Sequence, residues 1–283
     1  MTERLADIAA HIEGVRQLGA VVNAMRGIAA ARVQQARGQL VAVDQYAATI
    51  AAAIGRAVAL LPVTAAQPAS RSSRPAIVLF CAEQGFAGAF SERVLDVASA
   101  DLRTAELFLI GTRGNAAAVE RGVTADWHSA MASHSAGIPK LADHIADALY
   151  RRIVTGSIDR LDAVFARGQS GGATHVERVR LFPLDMTRFP ATAGNAPLVN
   201  LPPEELLGEL TADYLHAQLC HAALHAFAAE NAARMIAMEA ARHQIERQLA
   251  TLRATQRHVR QEEITAEIIE LAAGETASHP VRN

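Results

Sequence analysis

PPEELLGELTADYLHAQLCHAALHAFAAENAARMIAMEAARHQIERQLATLRATQRHVRQEEITAEIIELAAG, residues 202–274, is the stretch on which the reading of this chain turns. After Pro203 it contains no proline, and Gly208 is its one glycine before Gly274. Ala, Leu, Glu, Gln and Arg dominate, all good helix formers. Pro202-Pro203 followed by Glu204 and Glu205 makes a sound helix start, with φ pre-set and acids in the first turn. Gly274 is a plausible stop. Some seventy residues of helix make a rod of roughly 105 Å. A compact domain of this chain length has a radius of gyration of only about 19 Å. The helix must protrude, and it needs a partner along its length.

The first sixty residues offer that partner. A heptad seam runs Leu5, Ile8, Ile12, Val15, Gly19, Val22, Arg26, Ala29, Val33, Ala36, Leu40, Val43, Ala47, Ile50, Ile54, broken only by Gly19 and Arg26. Such persistence is a coiled-coil signal. The tail answers with Leu210, Tyr214, Ala217, Leu224, Ala228, Met235, Met238, Ile245, Leu249, Leu252 and Val259, interrupted at His221, Asn231, Arg242, Gln256 and Glu263. The expected architecture is a long antiparallel coiled coil of the N- and C-terminal helices with an inserted Rossmann-like α/β domain. The plainer alternative is a bundle whose first helix breaks at Gly14, Gly19, Gly27 and Gly38.

Between the helices the period changes. Residues 62–75, PVTAAQPASRSSRP, read as a linker. Ile77 to Cys81 and Leu107 to Ile110 are short apolar runs, the pattern of strands buried on both faces. The turn Glu83 to Gly88 leads to a helix over 89–103, and a second helix runs to about Arg121. Val123 to Trp127 reads as a short strand. A helix over 138–155 carries Leu141, Ile145, Leu149 and Ile153 on one face. Ala163 to Ala166 is a further strand, and Val176 to Pro183 an antiparallel or edge strand. The alternation predicts an α/β fold with a mainly parallel sheet. The expected domains are 1–61, N-terminal coiled-coil helix; 75–185, α/β domain; 203–274, C-terminal coiled-coil helix; and 275–283, a flexible tail.

Composition narrows the function. Twenty-seven basic against 29 acidic residues argue for neither nucleic acid nor membrane binding by bulk charge. Aromatic residues make up only 4%, which suits alanine-rich helices packed closely. Cys81 and Cys220 lie far apart in different elements, so no disulfide is expected and a reducing compartment is the default. Glu3, Asp7 and Glu13 argue against a secretory signal or a transit peptide. The most apolar window, Ala47 to Leu61, contains Arg56 and is too short to span a bilayer. A soluble protein is expected.

Candidate sites are few. GQSGGA, Gly168 to Ala173, lacks the spacing and lysine of a P-loop and reads as a turn. Gly85 and Gly88 follow a strand and open a helix, the place of a dinucleotide loop, but GxGxxG is absent and a packing turn is favoured. His216/Cys220 and His221/His225 each have the i,i+4 spacing that can chelate a metal. They lack the HExxH form and point in different directions, so no metal is expected. No nucleophile elbow or supported carboxylate pair is present, and neither catalytic residues nor a cofactor are expected. Charge says more. Arg16, Arg26, Arg32 and Arg37 stand without an acid between Gly14 and Val43, and Arg242, Arg247, Arg253, Arg257 and Arg260 crowd the tail. An antiparallel pair would bring these together, within either solvent or an acidic collar.

Four motifs carry a resemblance: Met25-Arg26-Gly27-Ile28-Ala29-Ala30-Ala31-Arg32, the turn Gln84 to Phe90, Glu230 to Ala241, and Arg260-Gln261-Glu262-Glu263-Ile264-Thr265-Ala266-Glu267. Together, and essentially end to end, the chain resembles the γ subunit family of F-type ATP synthases. The resemblance implies a central rotor stalk transmitting torque between the membrane c-ring and the catalytic α3β3 ring, with no catalytic site of its own. It implies a proton- or sodium-translocating complex, with α, β, ε and c subunits as partners. It places the chain peripherally on the cytoplasmic side of the bacterial plasma membrane. Met25, Arg26, Arg260, Gln261 and Thr265 match family positions that contact the catalytic ring, and Gly85 and Gly88 the turn of the α/β foot. Arg26 and Glu239 each stand where the family usually has lysine, Ala87 replaces a cysteine, and the Thr-Asp-Asn segment is missing. These departures read as a divergent branch, for which the γ of an alternative N-type ATPase is one assignment. The rival reading is a soluble α/β enzyme binding a nucleotide or sugar phosphate and dimerising through its terminal helices.

Overall fold

The computed structural model describes residues 2–61, 74–168, 174–190 and 198–278. Two long helices, α1 (Thr2–Val58) and α5 (Pro203–Ser278), begin and end the order of elements. Between them lie β1 (Pro75–Phe80), α2 (Phe90–Val97), β2 (Glu106–Ile110), α3 (Thr112–Glu120), β3 (Trp127–Ser129), α4 (Ile138–Val154), β4 (Arg160–Gly168) and β5 (Thr174–Phe182). The sheet order is β3-β2-β1-β4-β5, parallel except for the antiparallel edge strand β5. This is a mixed α/β fold with the parallel core that the apolar runs imply.

The strands are apolar because both faces are covered. Along β1, Ala76, Val78 and Phe80 join a core with α4 residues Leu141, Ile145 and Leu149, together with Leu219 and Phe227 of α5. The alternate residues Ile77, Leu79 and, just after the strand, Cys81 face α2 and α3, packing with Val94, Leu95 and Ala118. The two-residue period of a strand assigns each side chain its layer. Both cysteines are free and buried. Burial pushes each thiol up to about 12, so both stay protonated and unreactive.

The chain divides into two compact units: the first 28 residues with those from Met235 onward, and Ala29–Arg234. In the first, Val15, Val22, Met238 and Ile245 form a core against which Met25, Leu249 and Leu252 pack. A Cβ on Gly19 would stand 3.3 Å from the Ile245 side chain, which explains glycine in the seam. In the second, Ile50 and Ile54 pack with Tyr214. Each of the fifteen seam positions of α1 is buried or half-buried. Helix α1 also runs unbroken through Gly14, Gly19, Gly27 and Gly38.

Several expected boundaries move. Helix α2 stops at Val97 rather than near 103. Beyond it the chain turns, and Asp101 is taken up by Arg178, 2.6 Å away. The third strand begins at Trp127 rather than Val123, because Asp126 is spent on β2: its carboxylate accepts from the Leu107 N–H at 2.8 Å and its own N–H donates to the Leu107 carbonyl. Helix α5 passes through Gly274 to Ser278, since one glycine costs only about 1 kcal/mol and no proline intervenes before Pro280. The expected linker at 62–73, the loop at 169–173 and the last five residues of the expected tail lie outside the described residues.

A charge network missed in the sequence joins β4 and β5. Asp162, 3% exposed, accepts from Arg178 Nε at 2.9 Å and Nη2 at 2.6 Å and from Arg180 Nε at 2.7 Å. Burial alone would raise this carboxyl, but the arginine hydrogen bonds and charges overcome it and hold its pKa below the usual value. A depressed carboxylate stabilises the fold above its unfolded pKa, about 3.9, and that contribution is lost as pH falls through the still lower folded pKa. Asp162→Asn is expected to destabilise the protein at pH 7 by about 1–3 kcal/mol. Urea melts at pH 7 and in the acid range should show less acid destabilisation in the variant than in the wild type.

Candidate functional site

The turn after β1 and the tail motif, 147 residues apart, form one site. In the turn Phe86 has φ +61° and Gly88 φ +57°, and the N–H groups of Glu83 and Gln84 donate to a side chain outside it. Glu230 on α5, 2% exposed, receives both, its carboxylate oxygens lying 3.2 Å from each nitrogen. One helical turn on, Arg234 ion-pairs with Glu230 at 2.5 Å. It also donates to the Gly85 carbonyl at 3.3 Å, the Gln84 carbonyl at 3.4 Å and Asn231 Oδ1 at 3.0 Å. Asn231 in turn donates to the Phe227 carbonyl at 2.8 Å. The seam interruption at Asn231 is therefore part of a buried polar lock, with few partners left open.

Glu83 extends the lock across the sheet. Its carboxylate accepts from the Thr112 N–H at 3.0 Å, the Thr112 hydroxyl at 2.8 Å and the Met131 N–H at 2.8 Å. One side chain thus ties together the loops that follow β1, β2 and β3. Ser91 accepts from the Ala82 N–H at 3.1 Å and fixes the entry into α2. This is the carboxyl edge of a parallel sheet, where α/β proteins bind ligands. Here it is filled by the protein's own carboxylates. A phosphate at the turn would need the N–H donors that Glu230 already occupies. Beside the turn a cavity of about 330 Å³ is lined by Glu92 and Glu120 together with Arg113, a setting that disfavours a polyphosphate.

The remaining sequence candidates separate. Arg260, Gln261 and Thr265 are exposed on α5, the Thr265 hydroxyl donating to the Gln261 carbonyl at 2.8 Å. Met25 is half-buried against the Val15–Ile245 core. Arg26 stands 3.6 Å from Glu239. These two residues therefore face each other as an ion pair. Glu239 precedes Arg260 by 21 positions, about 31 Å of helix, so the five ring-contact candidates do not form one cluster. His216 lies 3.0 Å from Asp143 and 3.3 Å from the Pro139 carbonyl, with Cys220 Sγ 3.9 Å from its Nε2. His225 and His221 approach to 3.1 Å between their Nε2 atoms.

Sequence reading located the turn and the tail motif but not their union. The one local signal was Glu230/Arg234 at i,i+4, a spacing that a solvated surface pair shares. No helix among the described residues is long and apolar enough to cross a membrane.

The geometry defines a mixed α/β protein in which a long terminal helix is locked into the sheet's carboxyl edge. Its residues 4–277 match the ATP synthase family model, and the chain belongs to that family. It is 28% identical to the ATP synthase gamma chain of Chlorobium luteolum, covering 96% of this chain and 98% of that one. It is 29% identical to that of Clavibacter michiganensis, covering 91% and 92%. Among solved structures it is similar to a chain of the Euglena gracilis mitochondrial ATP synthase rotor, with a TM-score of 0.64 at 14% identity, covering 93% of this chain and 100% of that one. It is also similar to one from the Tetrahymena thermophila mitochondrial ATP synthase central stalk and c-ring, with a TM-score of 0.57 at 15% identity, covering 78% and 99%. At these identities the likeness is one of fold.

Proposed function

We propose that this chain is the central rotor stalk subunit of a proton- or sodium-translocating F-type ATP synthase, carrying torque between the membrane c-ring and the catalytic α3β3 ring. The observation that carries this reading is the family match over residues 4–277, with gamma-chain relatives covered almost whole. The subunit contributes no catalytic residue and acts from the cytoplasmic face of the bacterial plasma membrane as a peripheral component. Its partners are the α and β subunits, the ε subunit and the c-ring.

The shaft is an antiparallel coiled coil of α1 and α5, and residues 75–185 are an inserted foot. Two sets of contacts support this. In one unit Gly19 meets Ile245 and Arg26 meets Glu239; in the other Asp44 meets His221 and Ile54 shares a core with Tyr214. In each, α1 numbers rise as α5 numbers fall. Met25, Arg26, Arg260, Gln261 and Thr265 are the contacts to the ring. Toward the end of α5, Ile264, Ile268, Ile269 and Leu271 are 51–74% exposed, an apolar surface suited to a bearing formed by the ring. A shaft with unequal sides biases each catalytic site toward a different conformation in turn.

Affinity capture of the tagged chain from native bacterial membranes tests the assignment: α, β and ε subunits should come with it, and c-ring subunits in mild detergent. Recovery of a soluble oligomer alone would defeat it. The contact residues carry a narrower prediction. Arg260→Ala/Gln261→Ala should lower ATP-driven ion pumping about fivefold or more, the low end of typical coupling energies. Circular dichroism of the foot should be unchanged. Unaltered pumping would remove these two residues from the contact.

A further inference from the structure

We infer that His221 and His225 form a chelating site for a divalent first-row transition-metal ion, with His221 lining the cavity beside β4 and β5. The two residues lie one turn apart on α5, with their Nε2 atoms 3.1 Å from each other. Metal–imidazole bonds of 2.0–2.1 Å placed on that edge subtend roughly 98° at the metal, between the octahedral and tetrahedral values. The rings are already set in this pose. His225 stacks on Phe165 at 6.0 Å and 18°, and His221 meets the same ring edge-on at 6.1 Å. Pre-set ligands need little ordering on binding.

A metal held by both Nε2 atoms requires each neutral imidazole to carry its proton on Nδ1. Among the described residues no third His, Cys, Asp or Glu completes a ligand set. The site is therefore bidentate, with water in the remaining positions. A cavity of about 260 Å³ reaches His221 and supplies the room. Asp44 on α1 stands 3.5 Å from His221 Nε2 and supplies a counter-charge. Of the other charges lining the cavity, Glu177 is paired with Arg167 at 3.4 Å, and Arg188 lines it as well. Two neutral imidazoles with water favour Cu²⁺, Ni²⁺ or Zn²⁺ over Mg²⁺ or Ca²⁺.

The test is calorimetric titration of the full chain with Zn²⁺, and with Mg²⁺ as a control. One Zn²⁺ per chain should bind at this site. His221→Gln should weaken that binding more than about tenfold, at least the loss that removing an outer-shell partner already causes. His216→Gln should leave it intact. His221 is half-buried and lines the cavity, so its variant should fold, and circular dichroism checks this. Cu²⁺ at one equivalent supplies a second readout: paramagnetic resonance should show two coordinating nitrogens in the wild type and fewer in the variant. Absence of stoichiometric Zn²⁺ binding, or binding unchanged in His221→Gln, would overturn the inference.

Discussion

Glu230→Ala is expected to cost about 3–5 kcal/mol of folding stability, the usual result of removing one partner from a buried ion pair. Three interactions go at once: the acceptor for the Glu83 N–H, the acceptor for the Gln84 N–H, and the counter-charge of Arg234. Arg234 is 4% exposed and keeps only carbonyl and amide oxygens as partners. Domains are typically stable by about 5–15 kcal/mol, so the loss is a large share of the whole. Urea denaturation measures it, and hydrogen exchange locates it. The Glu83 and Gln84 amides should exchange far faster in the variant, while amides of β4 keep their protection relative to global unfolding. In Glu230→Ala/Arg234→Ala the two costs should fall short of adding, because the second change removes the charge that the first leaves unpaired. A loss below about 1 kcal/mol, within the range of an ordinary neutral hydrogen bond, would mean that the turn holds itself.

Much of the fold was legible because parallel strands covered on both faces have no polar side to show. Ile77 to Phe80 and Leu107 to Ile110 could be little else. The seam from Leu5 to Ile54 was equally plain, and its two breaks now have partners in Ile245 and Glu239. What escaped was polar and non-local. Asp101 sits in a segment with ordinary helical composition, and its ion-pair partners Arg160 and Arg178 come from far along the chain. Asp126 looks like a loop acid until its carboxylate is seen to bind the β2 backbone. Glu230 and Arg234 have the spacing of a solvated surface pair; their burial depends on where β1 delivers its turn. Met25, Arg26, Arg260, Gln261 and Thr265 were named through resemblance.

Gly114→Ala separates local propensity from packing, because the two demand opposite signs. Gly114 lies inside α3, where helix propensity alone would favour alanine by about 1 kcal/mol. Its N–H donates to the Ala82 carbonyl at 3.0 Å, so α3 sits directly on the end of β1. A Cβ there would lie 2.0 Å from Cys81 Cβ and 3.0 Å from its Sγ. Cys81 cannot yield, being wholly buried between the sheet and α3. The helix must lift away, straining the Thr112 contacts to Glu83 at its first turn. The expected cost is about 3 kcal/mol, the upper part of the range for overpacked cores. Gly27→Ala is the control, also mid-helix but with nothing within 4 Å of the added carbon. That variant should gain up to about 1 kcal/mol. Thermal melts of the two variants should therefore move in opposite directions from wild type. A stabilised Gly114→Ala would show that α3 can slide on β1, and the close approach would then be incidental to how the sheet's carboxyl edge is held.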